Sequence, residues 1–210
     1  VPERLALCAI EPVPERSGLW QRRARRKGRG GSALLRLCAN STRYEACNFA
    51  VPEHDPNPLC VSCRQTRVLP DLSVPGNDAR WIKIEIAKRR LFYTLARLGL
   101  LDVDPPGGES TGPAFEFLAE TPGQPVITGH AGGVITLNVA EADDAERVRR
   151  RVMLGEPYRT LLGHLRHESG HFYWDRLIRD GGRIDGFRAL FGDESRNYDE
   201  ALQQYYANGG

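Results

Sequence analysis

The chain has 210 residues, 40% of them hydrophobic and 27% charged, enough for one main core with a small satellite and too apolar to be disordered throughout. Its formal net charge of +2 is nearly balanced, so bulk electrostatics require neither nucleic acid nor an anionic membrane as partner. There is no apolar run of about 18 residues to span a bilayer and no basic, apolar and small-residue succession of a secretory leader, which points to a soluble, cytoplasmic protein.

Residues 1–75 are rich in Pro, Arg, Gly and Cys and show no sustained hydrophobic period. Turns, short strands and loops are expected there, pinned by something other than an apolar core. Gln21 to Gly31 is a basic run ending in glycines. It reads as a solvated loop, or more sharply as a contact for nucleic acid or an acidic partner, although no aromatic ladder flanks it.

Cys60 and Cys63 form a CxxC pair, with Cys38 and Cys47 upstream. Four crowded cysteines in an odd total of five suit a tetrahedral structural zinc in a reducing compartment better than a disulfide framework. A redox CxxC and unligated buried thiols are the other readings. Cys8 is left over and reads as packing.

From Asp78 onward Trp81, Ile84, Ala87, Leu91, Leu95 and Leu98 recur at spacings of three and four, ahead of Gly99. This predicts an amphipathic helix of about five turns with an arginine-rich outer face and Gly99 at its C-cap. Val126 to Val139 sets two β-branched runs around a Gly-rich centre and predicts a hairpin near a sheet edge. Glu141, Asp143 and Asp144 open a polar helix that breaks near Gly155, and Pro157 fits the first turn of a last helix running to Gly181 and Gly182.

That last helix carries His167, Glu168, Ser169, Gly170 and His171, an HExxH segment. Residues four apart share a helix face about 6 Å apart along the axis, so the two imidazoles can converge on one zinc ion as two of the three protein ligands a catalytic site needs. Glu168 sits beside them, placed to reach the attacking water as general base and to return its proton to the leaving amine. A structural histidine pair is the alternative. Leu161, Leu162, Leu165 and Phe172 supply the buried face, and Gly170 is small enough to admit another backbone.

His164 is about 10.5 Å along the axis from His171, too far to share a zinc with it, and is assigned structural or supporting duty. Asp175 could orient His171 or pair with Arg179. The downstream carboxylates Asp193, Glu194, Asp199 and Glu200 are candidates for the third ligand, and none stands at a distinguishing spacing.

These segments together resemble the bacterial zinc-binding metallopeptidase family whose members carry an N-terminal zinc-ribbon region. The resemblance rests on CNFAV (47–51), CVSCRQTRVLPDLS (60–73), KRRLFYTLARLGL (88–100), TGHAGGVITLNVAEADD (128–144) and GEPYRTLLGHLRHESGHFYWDRL (155–177). It implies a zinc peptidase with His167 and His171 as ligands and Glu168 as catalytic acid and base. It also implies truncation at both ends: the ribbon that usually opens the family is expected to be missing, as is a C-terminal segment that would carry the third ligand.

The expected fold is therefore α+β: a zincin-like helical core with a β-hairpin over residues 76–210, preceded by an irregular four-cysteine zinc module over residues 1–75. Two zinc ions are expected, one catalytic and one structural, with a peptide or protein as substrate. His130 in the hairpin or Tyr158 could steady an oxyanion. The rival reading is a nucleic-acid- or protein-binding module whose HExxH helix is inactive, and a non-peptide amide is an alternative substrate.

Overall fold

A computed structural model of the chain describes residues 9–23, 33–101, 112–153, 155 and 159–208. Cys8, most of the Gln21 to Gly31 run, Pro157 and Tyr158 lie outside the described residues, as does the Asp199 side chain. The chain forms two compact units, Val1–Ser169 and Gly170–Gly210.

The first unit opens with four short strands: β1 (Ile10–Pro12), β2 (Leu19–Arg22), β3 (Leu35–Leu37) and β4 (Ala50–Pro52). They pair in chain order as an antiparallel sheet. The short helix α1 (Ala39–Tyr44) lies between β3 and β4 and ends at Glu45, whose φ of 53° reverses the chain towards Cys47. This is the expected module of short strands and turns.

The main core forms between helix α2 (Asn77–Arg97) and a second sheet made of β5 (Thr66–Val68), β6 (Ala114–Leu118), β7 (Gly129–Ala131) and β8 (Val134–Asn138). Its order is β5-β6-β8-β7, with β7 antiparallel to β8 and the other pairs parallel. Phe115, Phe117, Ile135 and Leu137 alternate into the core, opposite Trp81, Ile84, Leu91, Phe92 and Leu95 of α2. The predicted hairpin is β7–β8 at the sheet edge. Gly132 and Gly133, with φ of 56° and 83°, supply the two positive φ angles that a two-residue primed turn demands.

Helix α2 ends as predicted at Gly99, whose φ is 70°; the N–H of Leu100 donates to the Leu95 carbonyl and that of Gly99 to the Ala96 carbonyl. Leu98, counted from its spacing as part of the core stripe, sits at this cap and is exposed. A larger departure concerns the charges. Arg90 and Arg97 face outward as expected, but Glu85, Lys88 and Arg89 are buried.

Lys88 Nζ lies 2.9 Å from Glu85 Oε1, which also accepts from Thr66 Oγ1 at 2.9 Å and faces the Trp81 indole N–H. The ammonium sits 5.3 Å from the ring centroids of both Phe115 and Phe117. The buried pair rests on the ion pair and on the bonds gathered at Glu85 Oε1, with cation–π attraction from the rings, while Glu85 Oε2 has no hydrogen-bond partner among the described residues.

A 3-10 turn, Val139–Ala142, follows β8 and packs against α2, where Arg80 pairs with Asp143 at 2.8 Å. Helix α3 (Asp144–Met153) comes next, and the chain turns at Gly155 as predicted. Glu141 belongs to the buried 3-10 turn rather than to the polar helix the sequence predicted.

Helix α4 (Leu161–Trp174) opens later than the predicted Pro157 start. Thr160 caps it, its Oγ1 accepting from Gly163 N–H at 2.9 Å. A π turn, Asp175–Arg179, carries it on toward Gly181 and Gly182. In the second unit α5 (Ile184–Phe191) and α6 (Tyr198–Ala207) follow, with Trp174 edge-on to Phe187 at 5.7 Å.

Removing one member of the buried α2 pair strands the other charge. Glu85→Gln should lower unfolding free energy by about 3–5 kcal/mol, read from urea titration, and adding Lys88→Met should recover part of that loss.

Candidate functional site

Two groups of metal-capable side chains stand out. In the first, Cys38 precedes α1, Cys47 follows its reversal, and Cys60 and Cys63 lie at the entry to a 3-10 turn. All four are buried and unbridged, and their sulfurs lie within 4.8 Å of one another. Cys47 and Cys60 sulfurs are 3.7 Å apart. Four sulfurs bonded to one zinc at about 2.3 Å stand about 3.8 Å apart in a tetrahedron, so the cluster already has the required size.

Backbone N–H groups point at the same sulfurs: Phe49 to Cys47 at 3.4 Å, Cys60 to Cys38 at 3.3 Å and Cys63 to Cys60 at 3.5 Å. Such donors stabilise thiolates. Hydrogen bonds to Cys38 and then Cys47 push the Cys60 and Cys63 thiols up, while thiol donors led by Cys47 hold Cys38 down. The four therefore cannot all ionise by themselves, and a divalent cation removes the conflict by compensating their charge.

The second group is the HESGH segment on α4. Leu165 and Ser169 are buried, as is Phe172, while His167 and His171 are exposed on the opposite face one turn apart and Glu168 is half-buried. The exposed imidazoles suit access by a ligand. Leu161 and Leu162 are only half-buried, and among the described residues no backbone from outside α4 comes within 4 Å of where a Gly170 side chain would begin.

Asp175 pairs with Arg179 at 2.7 Å. Glu194 pairs with Arg188 at 2.7 Å, and Asp193 accepts from the Ser195 hydroxyl and N–H. Among the described residues the four cysteines are the only group of three or more metal-capable side chains, so no third ligand joins His167 and His171 there.

His164 lies beside Glu141, a residue absent from the site candidates the sequence suggests. Glu141 is fully buried and accepts from Arg159 through both oxygens, Nη2 to Oε1 at 2.6 Å and Nε to Oε2 at 3.1 Å. His164 Nδ1 lies 3.2 Å from Oε2 but is not aligned as a hydrogen bond. Burial pushes the Glu141 carboxyl up, and His164 and Arg159 more than reverse this, holding it at about 2. The spacing of Glu141 from Arg159 has no helix or strand period, so only their shared presence in the two quoted segments hinted at a link. His130 is in the edge strand β7, opposite Ile135.

A four-cysteine cluster of this size followed by a helical HExxH segment is the pattern of a zinc-binding class of protein. Residues 77–210 match the family model described as "Putative zinc-binding metallo-peptidase", and the chain belongs to that family. Residues 1–74 match a zinc-ribbon domain model, so the ribbon expected to be missing is present.

Uncharacterized proteins of Mycobacterium bovis and of two Mycobacterium tuberculosis strains are similar to it, each 42% identical over 178 residues. That match covers 84% of this chain and 52% of theirs, so the chain spans about half the length of the curated relatives it matches. No solved structure matches it. Among the described residues no helix is long and apolar enough to cross a membrane.

Cys63→Ser should lose one zinc per chain by elemental analysis and release the thiols of its three neighbours to a thiol reagent. Glu141 gives a pH signature. Because its folded carboxyl is depressed, its stabilisation is present above about pH 4.3, the unfolded value, and is lost as pH falls through about 2. The melting temperature should therefore fall more steeply over that window in the parent than in Glu141→Gln.

Proposed function

We propose that this chain carries the zinc-binding half of a peptidase site that hydrolyses peptide bonds in a peptide or protein substrate. The observation that carries the reading is the pair His167 and His171, exposed one turn apart on α4 with Glu168 between them in sequence. Membership of a zinc-binding metallo-peptidase family supports it. On this reading residues 1–75 form a ribbon with a structural zinc on Cys38, Cys47, Cys60 and Cys63, and residues 76–210 carry the peptidase core.

His167 and His171 would hold the second zinc. A zinc ion there would acidify water toward neutrality and polarise the scissile carbonyl. Glu168 takes the proton of the attacking water and delivers it to the leaving amine. The two imidazoles must be neutral to ligate, so affinity falls as acid protonates them. The third ligand would come from a residue outside those described, such as Asp199, or from the additional sequence of relatives about twice this length. Four unbridged thiols in one cluster favour a reducing, cytoplasmic setting.

In the longer protein Glu168→Gln should keep both zinc ions and lower peptide hydrolysis by about 100- to 10,000-fold. His167→Ala should lose one zinc and leave the ribbon's in place. Unchanged hydrolysis in Glu168→Gln would remove this residue from the reaction, and unchanged zinc in His167→Ala would remove the histidine pair.

A further inference from the structure

Hydrogen bonds inside one helix bring His167 and His171 together, but they do not decide where that helix sits. In the first unit, the segment that leads into the motif is tied down at Glu141. This carboxylate lies on the 3-10 turn directly after β8, and the turn is itself fixed: Asn138 Oδ1 accepts from Ala140 N–H at 3.0 Å, and Asn138 Nδ2 donates to Glu120 at 2.6 Å and to the Val126 carbonyl at 3.1 Å. Arg147 Nη1 also donates to the Glu141 carbonyl at 2.8 Å. The carboxylate is therefore held by its own backbone before it meets α4.

What it meets comes from the amino-terminal end of α4. Arg159 stands just ahead of the helix and engages both carboxylate oxygens, a fork geometry that fixes direction as well as distance. His164 comes from the first turn, one turn before His167. Thr128 Oγ1 at 3.5 Å and Arg150 Nη1 at 3.9 Å complete the surroundings of Oε1. Core packing alone would let a helix with a narrow apolar stripe roll or slide, whereas a buried fork admits one placement.

We propose that Glu141 is a positioning residue: through Arg159 and His164 it fixes the first turns of α4, and with them His167 and Glu168, against the end of β8. Its relevance to catalysis rests on the peptidase reading, but its effect on the helix can be measured without it.

The test is amide hydrogen exchange on the zinc-loaded chain, comparing residues 163–169 of α4 with strands β6 and β8. Glu141→Gln and Arg159→Lys should each speed exchange in α4 by roughly 10- to 100-fold, the worth of a charge-assisted hydrogen bond in a local opening equilibrium, while the strands keep their protection. The double variant should be no worse than the worse single one, because both remove the same contact. Leu137→Ala, a core truncation on β8, is the control for general destabilisation and should loosen strands and helix together.

Unchanged α4 exchange in Glu141→Gln overturns the proposal, as does a pattern in which strands and helix loosen together as in Leu137→Ala. Zinc at the histidine pair is counted separately by elemental analysis of the longer protein. A released α4 with no zinc there would sink the peptidase reading and leave the positioning role standing; an unmoved α4 would sink the positioning role whatever the zinc count.

Discussion

Four cysteine sulfurs packed within 4.8 Å of one another constrain the fold that precedes α2. The apolar cluster of this region consists of Cys38, Cys47, Val51, Cys60 and Cys63, with Phe49 and Leu59 packed against it. Most of that core is thiol, so little hydrophobic surface remains to hold four three- and four-residue strands together. A zinc ion bound to the four sulfurs would supply the missing cohesion by closing loops between residues distant in sequence. Arginines shape the loop around it: Arg36 donates to the Asp55 and Asn57 carbonyls, and Arg64 to the Leu59 carbonyl and the Asp55 carboxylate. The loop that presents Cys60 is thus held by two arginine side chains.

Beyond the ribbon, long-range order in the first unit runs through matched polar contacts as much as through apolar packing. Arg89 reaches from α2 to the Ala46 carbonyl beside Cys47, and Tyr44 meets Trp81 edge-on at 5.3 Å. Glu85, Lys88 and Thr66 tie α2 to β5, Arg80 and Asp143 tie it to the turn after β8, and Glu141 ties that turn to Arg159 and His164. Apolar contacts provide the larger share of stability but tolerate sliding, while each polar pair has one geometry that satisfies it. The sequence of pairs therefore fixes register from the cysteine cluster to the start of α4.

Which parts of this were legible beforehand follows from the range over which each signal acts. Helix α2, its Gly99 cap and the Gly132–Gly133 hairpin depend on neighbours within a few residues, and periodicity and turn chemistry reveal them directly. The cysteine cluster is legible because few arrangements use four cysteines in so short a stretch. The inward turn of Glu85 and Lys88 was not legible, since their tolerance of burial depends on Thr66, Phe115 and Phe117 from separate strands. Glu141 was misread for the same reason. In an acidic stretch it looks like a solvated helix start, and only Arg159 and His164, brought beside it by the fold, make its burial possible.

The HESGH helix divides its chemistry in the same way. Helical repeat alone aligns His167 and His171 and places Glu168 a third of a turn away, so on the proposed reading a short peptide of the right conformation would contain two ligands and a base. A third ligand, a substrate carbonyl and the proton path between them are all external to the helix and are met only at one position and roll angle. Errors of about 1 Å in such placement can cost about 100-fold in rate. Local sequence can therefore encode the motif, while the placement we propose for it rests on the buried contact between Glu141, on the turn after β8, and Arg159 and His164 at the start of α4.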